Sequence, residues 1–178
     1  MIVYRTDTRE LEPGEEIISP GDHRDELPNE ETVAAEDAIR AGQPNGERIR
    51  ATSLYVYPNF ELAKIDWTYR SKGKRHVYKL RIDATDIIHA GDLQTYNQVI
   101  TDLRAARDPA TNVAKYWKDE PSERYTEYLV RKAVVIERLK QASEWKTPMQ
   151  RAVAKHRDDP RDTEFYESVL KNFDDDRL

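Results

Sequence analysis

The sequence predicts an α+β domain, and three features carry that reading. Residues 76 to 83 alternate apolar and polar side chains as a half-buried strand does. The runs 125 to 130 and 133 to 139 are rich in β-branched and aromatic residues and are split only by Arg131 and Lys132, so they read as neighbouring late strands. Interspersed with them, residues 31 to 40 and 60 to 69 carry helical composition or a helical apolar face.

The elements follow in order. Residues 2 to 5 form a short β-favouring run, and the turn-rich segments around Pro13-Gly14 and Pro20-Gly21 predict a long irregular loop after it. A first helix is expected between Asn29 and Gly42, with acidic residues at its start and a glycine placed to end it. Residues 49 to 57, stopped by Pro58, predict a strand. Asn59 can cap the helix after it, in which Leu62, Ile65 and Tyr69 share a face. In the strand at 76 to 83, Val77, Lys79 and Arg81 are expected on one side and Tyr78, Leu80 and Ile82 on the other. Ile87-Ile88 predicts a short strand, and residues 95 to 106 and 110 to 118 predict helices before Pro121.

Length and composition bound the whole. With 178 residues, splitting the chain in two would leave each half a poor core, so one domain over residues 1 to 143 is expected, followed by a charged, helical, acidic extension over 144 to 178. Hydrophobic residues at 38% against 35% charged make that core modest. No run is long and apolar enough for a membrane helix, and Met1-Ile2-Val3-Tyr4-Arg5 lacks the layout of a signal peptide, which predicts a cytoplasmic protein with no membrane partner. The absence of cysteine excludes disulfides, thiolate metal sites and cysteine nucleophiles. A net charge of −5 argues against a large nucleic-acid surface, and Lys72, Lys74, Arg75, Lys79 and Arg81 read as a solvated edge.

Familiar catalytic signatures are missing. His23, His76, His89 and His156 show no helical pairing for a zinc site, so no metal is expected. The six glycines form neither a phosphate loop nor a dinucleotide fingerprint, and there is no serine-hydrolase elbow.

Three distant segments do carry a pattern. Val3-Tyr4-Arg5-Thr6-Asp7-Thr8-Arg9 resembles the Tyr-Arg-x-Asp-Ser-Arg first strand of the pertussis and cholera toxin group of mono-ADP-ribosyltransferases. Arg50-Ala51-Thr52-Ser53-Leu54-Tyr55 is similar to the Ser-Thr-Ser strand of that superfamily, with Ala51 in place of the first serine. Ser122 to Arg131 is similar to its catalytic-glutamate segment, with Glu127 at the glutamate. Order and approximate spacing agree, and the likeness covers most of residues 2 to 138.

The resemblance implies two small packed sheets forming an NAD cleft flanked by helices. It makes NAD the substrate, with Tyr4, Arg5, Asp7, Arg9, Thr52, Ser53, Tyr55 and Tyr57 lining its site. Cleavage of the nicotinamide–ribose bond passes through an oxocarbenium-like state, so the site must hold a pyrophosphate, orient a ribose and stabilise growing positive charge. Arg5 would supply the phosphate fork, Ser53 a positioning hydroxyl, and Glu127 the carboxylate beside the ribose. Tyr55 or Tyr57 would stack on nicotinamide, and His23 would stand near the acceptor.

The pattern departs at Tyr125, where many arginine-modifying relatives carry a Glu or Gln that activates the acceptor. That departure puts arginine as the acceptor in question and opens another protein side chain, a nucleic-acid base or water beside it. The implied activity is that of a toxin, effector or phage-type enzyme, with an inhibitor or immunity protein as a possible partner. Two alternatives stand beside it: a degenerate fold that only binds a protein, and a DNA-directed transferase.

Overall fold

The structure, a computed structural model, describes residues 1–27, 29–70, 76–122 and 124–139, and all side chains among them except those of residues 25, 26 and 67–70. The extension expected at 144 to 178, with His156, lies outside the described residues, as do Lys72, Lys74 and Arg75.

Two antiparallel sheets form the frame. Strand β1 (Ile2–Asp7) pairs with β4 (His76–Arg81), β4 with β7 (Ala133–Leu139), and β7 with the two-residue β2 (Glu16–Ile17). Strand β3 (Leu54–Val56) pairs with β6 (Thr126–Val130), and β6 with β5 (Ile87–Asp92). A single bridge joins the sheets: Tyr4 and Tyr57 exchange backbone N–H to C=O bonds of 2.7 and 2.8 Å. The apolar faces of both sheets meet there, with Val3, Tyr78 and Leu80 from one packed against Leu54, Val56 and Val130 from the other, all fully buried. The α+β expectation with two small sheets thus describes the architecture.

Alternation along β3 and β6 decides what the second sheet offers on its other face. With Leu54, Val56 and Val130 committed to the core, Tyr55, Glu127 and Leu129 turn the opposite way. That face meets a helical layer of α1 (Glu30–Ala41), α2 (Gly46–Thr52), α4 (Leu93–Arg104) and α5 (Ala110–Lys118). Its apolar centre is Ala35, Ile39, Val99, Val113 and Tyr116. Helix α3 (Phe60–Arg70) covers the first sheet from outside, with Leu62 and Ala63 against Val77.

Local signals account for several boundaries. Asn29 caps α1 by accepting the Thr32 N–H at 2.9 Å, and Asn59 accepts the Glu61 N–H at 2.9 Å at the start of α3. Helices α4 and α5 and the strands β5, β6 and β7 fall where periodicity and composition place them.

Three expectations need correction. Residues 46 to 52 form helix α2, so the strand expected from residue 49 begins only at Leu54. The β-branched residues there lose to a tertiary demand: helical backbone carries Arg50 into a buried ion-pair network. The supposed irregular loop contains β2, which gains its bonds only from β7. The side of β4 that carries Val77 and Lys79 is not uniformly wet: α3 covers Val77, and the pairing of β4 with β7 shifts register between Lys79 and Leu80.

Candidate active site

Strand β3 links the two halves of the site: β6 pairs along one side of it, and β1 meets its C-terminal end through the Tyr4–Tyr57 bridge. On the β1 side, Arg5 is nine-tenths buried. Its Nε–H donates to Asp7 Oδ2 at 2.9 Å and its Nη1–H to the Tyr55 carbonyl at 2.9 Å. Asp7 also accepts from Arg9, through Nε at 3.0 Å and Nη2 at 2.8 Å. Burial opposes the charge on Asp7, but the bonds from Arg9 and the charge of Arg5 outweigh it and hold the carboxyl far below its ordinary range. Asp7 therefore acts as a fixed anion that aims two guanidinium groups.

Tyr55 ties this side to the next. Its ring stands 4.3 Å from that of His23, and its hydroxyl donates to the Arg50 carbonyl at 2.9 Å. His23 opens a short 3₁₀ turn whose cap is Asp22, so the loop expected to hold it is ordered against the site.

On the β6 side, Glu127 is 3% exposed. Its Oε1 accepts from the Tyr116 hydroxyl at 2.7 Å and stands 3.5 Å from Arg50 Nη1. Arg50 in turn donates to the Tyr116 hydroxyl, and binds Glu36 in a fork, Nε to Oε1 and Nη2 to Oε2, both at 2.8 Å. The rings of Tyr55, Tyr96 and Tyr116 stand 5.1, 5.5 and 5.1 Å from the guanidinium carbon. Burial works against the Arg50 charge, yet its tyrosine and carboxylate neighbours keep it protonated. Burial also pushes the Tyr116 hydroxyl well above its usual range, so it remains a proton donor to Glu127.

The network continues outward. Glu36 Oε1 accepts from Arg40 Nε at 2.8 Å, and Arg40 reaches Asp22 and Glu47. Hydrogen bonds from Arg40, working against partial burial, lower the Asp22 carboxyl to about 2. Asp22 thus links the His23 turn, through Arg40, Glu36 and Arg50, to Glu127.

Not every residue expected at the site converges. Among the described residues no hydrogen bond joins Arg5, Ser53 and Glu127 to one another. Arg5 and Glu127 both lie near the C-terminal end of β3, but alternation puts Arg5 on the side of β1 that carries Val3 and faces the inter-sheet core, and Glu127 on the opposite, helical face of the second sheet. Ser53 caps α2 before β3, and the pairing of Leu54 with Val130 puts it at the far end from Glu127. It was expected within a strand and stands instead at a helix-to-strand junction, where its Oγ is buried and, alone among described buried side-chain atoms, lacks a partner. Thr52 is exposed and bonds the Arg48 carbonyl. Tyr4 packs on Phe60 with ring centroids 5.0 Å apart, and Tyr57 is buried beside it.

Sequence reasoning did not single out Arg50, Tyr116 or Glu36. A signal for Glu36 exists: it shares a helical stripe with Ile39 and Arg40, an acid on the apolar side of α1.

His89 on β5 fastens α5 from below, its Nε2–H directed to the Tyr116 carbonyl at 3.0 Å. Burial, aided by the Arg50 charge, lowers its imidazole from 6.5 to about 4 despite that bond. The unfolded chain takes up this proton near 6.5 and the folded chain only near 4, so stability falls as pH drops through that window. His89→Gln, which can donate to the same carbonyl without titrating, is expected to flatten the slope. Urea unfolding between about pH 7 and about pH 4 measures it, and an unchanged slope would assign the loss to other groups.

No helix among the described residues is long and apolar enough to cross a membrane. Compared with known proteins, the chain matches no protein-family model and no curated protein.

Proposed function

We propose that the chain is a mono-ADP-ribosyltransferase that cleaves NAD and passes ADP-ribose to a macromolecular acceptor, a protein foremost. One observation carries the reading: Arg5 and Glu127 both lie near the C-terminal end of β3, and each is tethered at one end and unspent at the other. Arg5 commits Nε and Nη1, leaving Nη2, and Glu127 commits Oε1, leaving Oε2. Arg5 is 9% exposed and Glu127 3%, so a ligand meeting either group would find it already largely desolvated.

In this reading Arg5 Nη2 takes a pyrophosphate oxygen and Glu127 Oε2 accepts the ribose 2′-hydroxyl of the nicotinamide nucleoside. As the C–N bond breaks, its electron pair leaves with neutral nicotinamide, and the carboxylate stabilises the positive charge left on the ribose. The acceptor then attacks the anomeric carbon and loses a proton, completing the transfer. His23, whose ring lies against that of Tyr55, would stand near the acceptor in this reading. The role foreseen for Ser53 passes to the Tyr116 hydroxyl, which already touches Glu127. Toxin, effector or phage-type action in a cytoplasm fits this chemistry, with NAD as the substrate and no metal required.

Calorimetric titration with NAD, followed by chromatography of released nicotinamide, tests the assignment. Arg5→Lys should weaken NAD binding about tenfold, because an ammonium cannot keep both tethers and a phosphate contact. A chain that neither binds NAD nor releases nicotinamide ends this reading.

A further inference from the structure

We infer that Tyr116, backed by Arg50, is a positioning residue that sets which oxygen of Glu127 faces the substrate, and that Gly91 is the clearance this requires. The inference rests on the proposed role of Glu127, but its geometry comes from a separate set of contacts. Gly91 is the cross-strand partner of Glu127. A Cβ at position 91 would stand 2.4 Å from Tyr116 Cζ and 2.5 Å from its hydroxyl oxygen. The far end of the ring therefore occupies the space a side chain would fill, and any residue there other than glycine drives the hydroxyl away from Glu127.

Everything around Tyr116 fixes it in that slot. Its backbone carbonyl is held by His89, its ring is 1% exposed beside Tyr96 and Trp117, and its hydroxyl accepts from Arg50 while donating to Glu127 Oε1. A carboxylate on a free side chain samples several rotamers. One bonded at Oε1 by a fixed hydroxyl turns Oε2 in one direction. Packing alone does not need this arrangement, since phenylalanine would fill the same volume.

The test is a comparison of NAD cleavage by the whole chain carrying Tyr116→Phe or Gly91→Ala. Both are expected to lower kcat about 10-fold to 100-fold, as loss of orientation does. KM for NAD should change much less than kcat, because the Arg5 contact to the pyrophosphate is untouched and the bond from the ribose 2′-hydroxyl to Glu127 is misaimed rather than removed. Gly91→Ala keeps the hydroxyl but displaces it, so it separates position from composition. Wild-type kcat in Tyr116→Phe, or a loss confined to KM, overturns the inference.

A second readout does not need turnover. In protein labelled with carbon-13 at the glutamate carboxyls, the Glu127 resonance is the one missing from Glu127→Gln. It should move in Tyr116→Phe, and an unmoved resonance overturns the inference. Absence of nicotinamide release by the wild-type chain would instead end the ADP-ribosyl assignment, while the resonance still judges the positioning.

Discussion

Glu127→Gln is expected to suppress nicotinamide release by at least about 100-fold while leaving the chain folded. Glutamine reproduces the shape of the side chain, and its amide oxygen can still accept the Tyr116 hydroxyl. What changes lies at the other end: an N–H donor replaces the anionic Oε2, so nothing offsets the positive charge that builds on the ribose. Stability should fall by only about 1–2 kcal/mol, because Arg50 retains both bonds to Glu36 and its weaker 3.5 Å contact with Glu127 loses only the acceptor's charge. Thermal unfolding and nicotinamide release, measured on the same sample, separate the two effects. Glu120→Gln, an exposed acid in the preceding loop, serves as the control that should leave both unchanged. Turnover at the wild-type rate in Glu127→Gln would remove the carboxylate from the mechanism.

How much of this could be read in advance depends on whether the information is local. Asn29 and Asn59 announce their helices because a cap bonds within three residues, and the alternation in β4 announces a strand because its period is short. Arg5 and Glu127 were legible as chemistry-bearing residues through the motifs around them. Their relation to Tyr55 was not, since it depends on β3 lying between β1 and β6, contacts between residues 50 to 76 positions apart. The segment ending at Ser53 shows the limit most clearly. Ile49 and Thr52 favour a strand, but a fully buried Arg50 that must reach Glu36 and Tyr116 holds residues 46 to 52 helical. Nothing near position 50 in the sequence reveals that demand, because its partners lie 14, 66 and 77 positions away.

The same network gives the largest expected change in stability: Glu36→Ala should cost about 3–5 kcal/mol, the loss that follows when one member of a buried charge network is removed. Glu36 is completely buried, and it alone gives Arg50 a two-point ionic partner while also holding Arg40. Burial opposes its charge, yet Arg50 and then Arg40 keep its carboxyl below the ordinary range, so it is an anion wherever the chain is folded near neutrality. Its removal leaves Arg50, itself 1% exposed, with a hydroxyl and a single long contact to Glu127. Arg40 keeps Asp22 and Glu47, both nearer to water, and is hurt less. Restoring the fork with Glu36→Asp should recover only part of the loss, because the shorter side chain cannot reach both nitrogens of Arg50. Arg24 and Asp37 provide the contrast, since their bidentate pair, also formed with α1, lies in solvent and Arg24→Ala should leave the unfolding midpoint nearly unchanged. Urea unfolding of the three variants ranks them. A midpoint for Glu36→Ala equal to that of Arg24→Ala would mean that Arg50 is solvated, and the buried network beneath Glu127 would no longer describe this protein.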